Sequence, residues 1–111
     1  MDTLTNEQVE ERLKSLVGDI SGRYPVTSLI LFGSRARGDN LLTSDVDALL
    51  VSPGFEDVNF HKRIRDVAVH WDEDLQLEPV CLTPRELEER RGEYGIIKRI
   101  LEEGREIPIQ G

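Results

Sequence analysis

Apolar residues recur along the chain at two periods, and the change from one period to the other marks its elements. Over residues 5–21 they return every three or four positions, which predicts a helix. Thr5 followed three residues later by Gln8 is typical of a capping box at the start of that helix. The same period predicts further helices at 57–71, from Thr83 to about Arg91, and at 96–103 before Gly104.

Three shorter segments are rich in apolar and β-branched residues and predict strands at 26–32, 45–51 and 75–82. Pro79 lies inside the third, which indicates an edge strand or a bulge. Residues 33–39 predict a tight turn or a short helical turn. The order α-β-α-β-α-β-α-α predicts an α/β fold of α+β character, with a small mixed sheet of about three strands flanked by helices. Without linker or repeat, residues 1–111 are expected to form a single domain.

Composition narrows the classes of function. The chain has 22 acidic and 14 basic residues and a net charge of −8, which argues against binding of long nucleic acid. We expect no membrane span and no signal peptide, because no apolar run approaches ~20 residues and the N-terminus is acidic. The single cysteine, Cys81, fits a reducing compartment, so a cytoplasmic location is expected. Cys81, His61 and His70 lie too far apart in the sequence to form an ordinary zinc site.

The first segment that indicates chemistry is Gly33-Ser34, directly after the first strand. Glycine allows a ligand to approach the backbone closely, and free N–H groups with the serine hydroxyl form a site for an anion. Arg35 and Arg37 supply donors suited to phosphate oxygens. A tight turn with two solvated arginines is an equal alternative on these residues alone.

The second segment is Asp45-Val46-Asp47, at the start of the second strand. Side chains alternate along a strand, so Asp45 and Asp47 are predicted to point to one face. Paired carboxylates suit Mg²⁺, and two such ions could clamp the reacting oxygens of a phosphoryl transfer. A solvated acidic turn before the strand is the alternative for this motif taken alone.

The spacing connects the two segments. Ten residues separate Ser34 from Asp45, enough for the chain to return antiparallel beside itself. The anion site and the carboxylate pair would then share one sheet edge and form a cradle for a metal and a triphosphate.

Gly33-Ser34, the intervening Arg-x-Arg-Gly-Asp and Ser44-Asp45-x-Asp47 before an apolar strand resemble the nucleotidyltransferase fold of the DNA polymerase β type, and in particular its minimal nucleotidyltransferases. The resemblance implies that Gly33 and Ser34 hold the β- and γ-phosphates of a nucleoside triphosphate. It implies that Asp45 and Asp47 ligate two Mg²⁺ ions with a third carboxylate from the third strand. Glu78 is the nearest match, although the family more often has aspartate there, and Asp74 is the fallback.

The implied reaction is transfer of a nucleoside monophosphate, AMP from ATP or its counterpart from another triphosphate, to an acceptor hydroxyl. The resemblance also implies a partner, because larger relatives carry a domain that binds the acceptor and 111 residues leave no room for one. A HEPN-like protein or a second copy of the chain could present the acceptor. The rival hypothesis is an antitoxin or interaction module with a vestigial or regulatory nucleotide site.

Overall fold

The computed structural model describes residues 4–71, 75–92 and 95–109 of the chain. Its elements follow the predicted order, with a 3-10 turn at Pro53–Phe55 and one further strand near the C-terminus. The helices are α1 (Asn6–Ile20), α2 (Ser34–Arg37), α3 (Phe60–Ala68), α4 (Pro84–Arg90) and α5 (Ile96–Glu103). The strands are β1 (Ser28–Phe32), β2 (Val46–Val51), β3 (Leu77–Leu82) and β4 (Arg105–Glu106). Within the described ranges, no helix is long and apolar enough to cross a membrane.

The helix starts follow the predicted chemistry more closely than the helix lengths do. Thr5 and Gln8 form the reciprocal capping box of α1, and Thr83 and Glu86 form that of α4. The helix predicted over 57–71 is shorter, because Asn59 caps it and α3 begins at Phe60. The helical period places Phe60 and Ile64 on its apolar stripe together with Val67, and this is wrong for both, since they are exposed.

The strands form one mixed sheet in the order β3-β2-β1-β4. β1 and β2 pair antiparallel, as their spacing predicted, whereas β2 and β3 pair parallel. The fourth strand adds to the three expected and pairs antiparallel with β1. Its two residues are charged and exposed, so no hydrophobic pattern in the sequence predicts this strand.

The sheet is covered on both faces, and this decides which side chains remain accessible. Leu31, Ala48 and Leu50 belong to one buried cluster together with residues of α1 and Val67 of α3. The opposite face carries a second cluster, formed by Leu49, Val51, Leu82, Ile97 and Ile100. β2 is therefore buried on both faces except at Asp47, which is half-buried.

β3 is an edge strand, as Pro79 predicted. Gln76 and Leu82 accept hydrogen bonds from the side of β2, so the alternate positions Pro79 and Cys81 turn their backbone outward. The buried Arg63 of α3 donates to the outward Cys81 carbonyl at 3.1 Å and to the Glu86 carboxylate at 2.7 Å. The outward Cys81 carbonyl of this edge is therefore already hydrogen-bonded within the protein.

Arg35 lies in a different place from the one expected of a phosphate ligand. It is 2% exposed, and its five N–H groups donate to the Leu4, Leu42 and Ser44 carbonyls and to Asn6 Oδ1. All its donors are used inside the protein, which corrects its assignment to nucleotide binding. Arg35 instead holds α2 to the start of the chain and to the loop that leads into β2.

Replacement of Arg35 by methionine is expected to destabilise the fold by about 3 kcal/mol or more. The apolar volume is kept, but buried carbonyls lose charged donors. The free energy of unfolding from urea titrations measures this. Arg37→Met is the matched control two residues along the same helix, and it should change that free energy by no more than about 0.5 kcal/mol because Arg37 is exposed. Equal effects of the two changes would contradict the structural role of Arg35.

Candidate functional site

The turn after β1 is built around Gly33. Its φ of 75° and ψ of −155° lie in a region that is essentially restricted to glycine. The residue caps α2 without a side chain, and the N–H groups of Ser34 and Arg35 fall in a first helical turn that leaves such donors without helical partners. The turn therefore presents backbone N–H groups and the half-buried Ser34 at the end of β1.

The Asp47 carboxylate lies directly against this turn. A Cβ built on Gly33 would overlap Asp47 Oδ2, so no other residue fits at position 33 without moving the carboxylate. The contact follows from the sheet, since Phe32 and Asp47 are register partners across β1 and β2. The structure thus brings together the two motifs whose spacing predicted a shared sheet edge.

Glu78 extends the same row of residues. It is the register partner of Asp47 across the parallel pair β2 and β3, so both side chains lie on the face covered by α4 and α5. Burial first, and then the hydrogen-bonded carboxylate of Glu78 and the charge of Asp45, together raise the pKa of Asp47 to about 6, with Arg37 opposing them. The carboxylates therefore repel each other at neutral pH, and a cation between them would relieve that repulsion.

Asp45 is exposed and precedes β2, so the three predicted carboxylates do not close into a cage. Within residues 4–71, 75–92 and 95–109, no three His, Cys, Asp or Glu side chains are close enough to enclose an ion. Asp74, the fallback third carboxylate, lies outside the described residues. Hard oxygen donors on one open edge still fit Mg²⁺, which retains several waters and shares substrate phosphates.

Arg37 remains at the site. It is exposed, lies 3.3 Å from the Asp39 carboxylate and is close enough to Asp47 to affect its pKa. Phosphate binding by Arg37 stays a prediction. His61 and His70 are exposed on or just after α3, and Cys81 is buried with its thiol pKa raised by burial to about 12, in keeping with a core residue.

A cavity of about 350 Å³ begins at Gly33 and extends to α5. Arg37, Arg99 and Glu103 contribute its charges, and Phe32, Ile96 and Ile100 its apolar walls. We did not predict Arg99, although Ile96, Arg99 and Glu103 have the i, i+3, i+7 spacing of one helix face. A larger cavity of about 490 Å³, between α1 and Pro108-Ile109, includes no residue of either motif.

Comparison with known proteins matches residues 7–107 to the model of a family described as a nucleotidyltransferase domain. A Methanocaldococcus jannaschii protein named "Putative protein adenylyltransferase" is 34% identical over an alignment of 64 positions, and the match covers 54% of this chain and 44% of that protein. The chain thus spans less than half the length of this curated relative.

Two solved structures share the fold. A "putative nucleotidyltransferase" of Sulfolobus solfataricus superposes with a TM-score of 0.61 and 28% identity, covering 77% of this chain and 76% of that one. A toxin-antitoxin crystal structure with AMP-PNP gives a TM-score of 0.56 over 91% of this chain and 73% of that one. At 17% identity, the second likeness concerns the fold alone.

The raised pKa of Asp47 predicts that the free energy of unfolding depends on pH when divalent cations are removed with a chelator. The pKa of Asp47, about 6 in the folded chain, lies above the ordinary 3.8. The protonated form therefore contributes stability that is complete below about pH 4 and is lost as the pH rises through about 6. Asp47→Asn should remove this component, so the variant should gain stability relative to the wild type between pH 4 and pH 7. Urea titrations across that range measure it, and parallel pH profiles would contradict the repulsion.

Proposed function

The chain belongs to the nucleotidyltransferase domain family, and from that premise we propose that it transfers a nucleoside monophosphate, AMP from ATP, to an acceptor hydroxyl in a metal-dependent reaction. One observation carries the proposal: the Asp47 carboxylate lies against the glycine turn that would hold the phosphates. The proposed metal ligand Asp47 is therefore in direct contact with the turn proposed to bind the phosphates.

The chain's own residues have separable tasks in this reaction. Backbone N–H groups at Gly33-Ser34 and the Ser34 hydroxyl bind the β- and γ-phosphates and hold the triphosphate in one orientation. Arg37 adds positive charge on the same side. The acceptor oxygen forms a bond to the α-phosphorus, the bond from that phosphorus to the β-bridging oxygen breaks, and pyrophosphate leaves with its electron pair.

Asp45, Asp47 and Glu78 would hold the Mg²⁺ ions, two by analogy with the family. Bound Mg²⁺ supplies charge neutralisation for the attacking and leaving oxygens. We assign to Glu78 the task of accepting the proton of the acceptor hydroxyl, and its position on the edge strand, at the end of the row farthest from Gly33, supports this.

The acceptor is proposed to be a hydroxyl on a protein. Support comes from the name of the Methanocaldococcus jannaschii relative and from the fold shared with a toxin-antitoxin structure. A HEPN-like partner or a second copy of the chain would present it.

A second candidate is an antitoxin or interaction module that binds nucleotide without transferring it. The open arrangement of the carboxylates, with no cluster of three in the described part of the chain, favours this reading. The two candidates differ in whether the nucleoside monophosphate of a bound triphosphate becomes covalently attached to an acceptor.

Nucleotide transfer should depend on the Asp47 carboxylate itself and not on the loss of just any acidic side chain. With ATP labelled in its α-phosphate, Mg²⁺ and soluble protein from the source organism, the wild type should produce labelled protein. Asp47→Asn should lower the rate by more than roughly a hundredfold, because a ligand and its charge are lost. Asp57→Asn is the matched control, since Asp57 is exposed and follows the opposite end of β2. Nucleotide binding by the wild type without any label would support the module instead.

Nucleotide binding should tolerate no side chain at Gly33. Gly33→Ala is expected to abolish Mg²⁺–ATP binding in calorimetry, because the methyl group displaces the Asp47 carboxylate. Gly38→Ala is the control: its φ of 84° also disfavours alanine, by about 1 kcal/mol, but its Cβ would have open space. It should lose stability and keep binding. Wild-type affinity in Gly33→Ala would place the ligand elsewhere.

A further inference from the structure

The cavity beside Gly33 has an end that the phosphates would not fill. Gly33 and Arg37 line one end, and α5 lines the other through Ile96, Arg99 and Ile100. Its volume of about 350 Å³ lies in the range of small-molecule sites. A triphosphate held at Gly33 therefore has an open cleft next to it, on the side of α5.

The fold fixes α5 at this place. β4 follows α5 directly and pairs with β1, with Arg105 opposite Leu31, so the end of α5 lies beside the end of β1. Ile97 and Ile100 are buried against the sheet and set the rotation of the helix about its axis. The face that carries Ile96 and Arg99 is therefore held toward the cavity.

Two side chains on that face, Ile96 and Arg99, are exposed. Ile96 is 62% exposed, although Ile97 and Ile100 of the same helix are buried. In the part of the chain that the structure describes, the Arg99 side chain forms no hydrogen bond or ion pair, even though Glu103 lies one turn away on the same face. An apolar surface next to a free, planar guanidinium suits a flat aromatic ring, which can pack on the first and stack on the second.

We propose that α5 forms a nucleobase slot in which the base of the bound nucleoside triphosphate packs against Ile96 and stacks on Arg99. This inference rests on the proposed function and adds to it the residues that recognise the nucleoside. Phe32 and Ile100 form the floor of the slot, and the ribose spans the distance to the phosphates at Gly33. Arg99 acts on the base and not on the phosphates, which sets it apart from Arg37.

Two probes separate base binding from phosphate binding, namely ATP and inorganic tripolyphosphate, each titrated with Mg²⁺ by calorimetry. Ile96→Ser removes the apolar contact without adding charge and should weaken ATP about five- to tenfold. Arg99→Lys keeps the charge but loses the stacking plane and should weaken ATP to a similar degree. Tripolyphosphate affinity should stay at the wild-type value in both variants.

Val69→Ser is the matched control, an exposed apolar residue outside the cavity, and should leave both affinities unchanged. Circular dichroism of the variants establishes that they are folded. Unchanged ATP affinity in Ile96→Ser and Arg99→Lys would overturn the slot while leaving the phosphate site intact. Equal weakening of both probes would assign Arg99 to the phosphates and also overturn it. A wild type that binds neither probe would instead overturn the proposed function, and the slot with it.

Discussion

The antiparallel register of β1 and β2 is the constraint on which the candidate site depends. It places Phe32 opposite Asp47 and thereby brings a carboxylate against the one residue, Gly33, that has no side chain to exclude it. Because successive side chains on a strand face opposite ways, a slip of one residue would turn Asp47 into the core beneath α1. The packing of Ala48 and Leu50 on that side opposes such a slip, since it would remove both from the cluster they fill and force them among the residues under α5. The core thus determines the position of the site.

The charge within the site has the same sign as the net charge of the chain. This acidic protein concentrates further negative charge along the row that joins Asp47 and Glu78, and Arg35 of the neighbouring turn is used for internal structure. A triphosphate adds further negative charge to this edge. Under the proposed function, charge balance at this edge therefore needs cations, and Arg37, which lines the adjoining cavity, is the protein's own contribution to it.

Residues near each other in sequence were predictable, and those joined by long-range packing were not. The strand period predicted the alternation of β2, with Ala48 and Leu50 on the face opposite Asp47, and the spacing from Ser34 predicted the return of the chain. Arg35 and Arg37 have the same local pattern, and only contacts with Leu4 and Asn6, about thirty residues away, distinguish the buried arginine from the exposed one. The place of α5 escaped prediction because two exposed, charged residues of β4 determine it through backbone pairing alone.

Pro79 has a consequence for how another polypeptide can meet this domain. An extended peptide commonly binds a sheet by continuing its hydrogen-bond ladder at an open edge. On β3 the outward position 79 lacks an N–H, and the next outward carbonyl, that of Cys81, already accepts from Arg63. Strand addition is therefore disfavoured next to Glu78, which also limits uncontrolled self-association through this edge. Under the proposed function, a protein that presents a hydroxyl to the carboxylates would therefore be recognised by surface shape and charge rather than by strand pairing at β3.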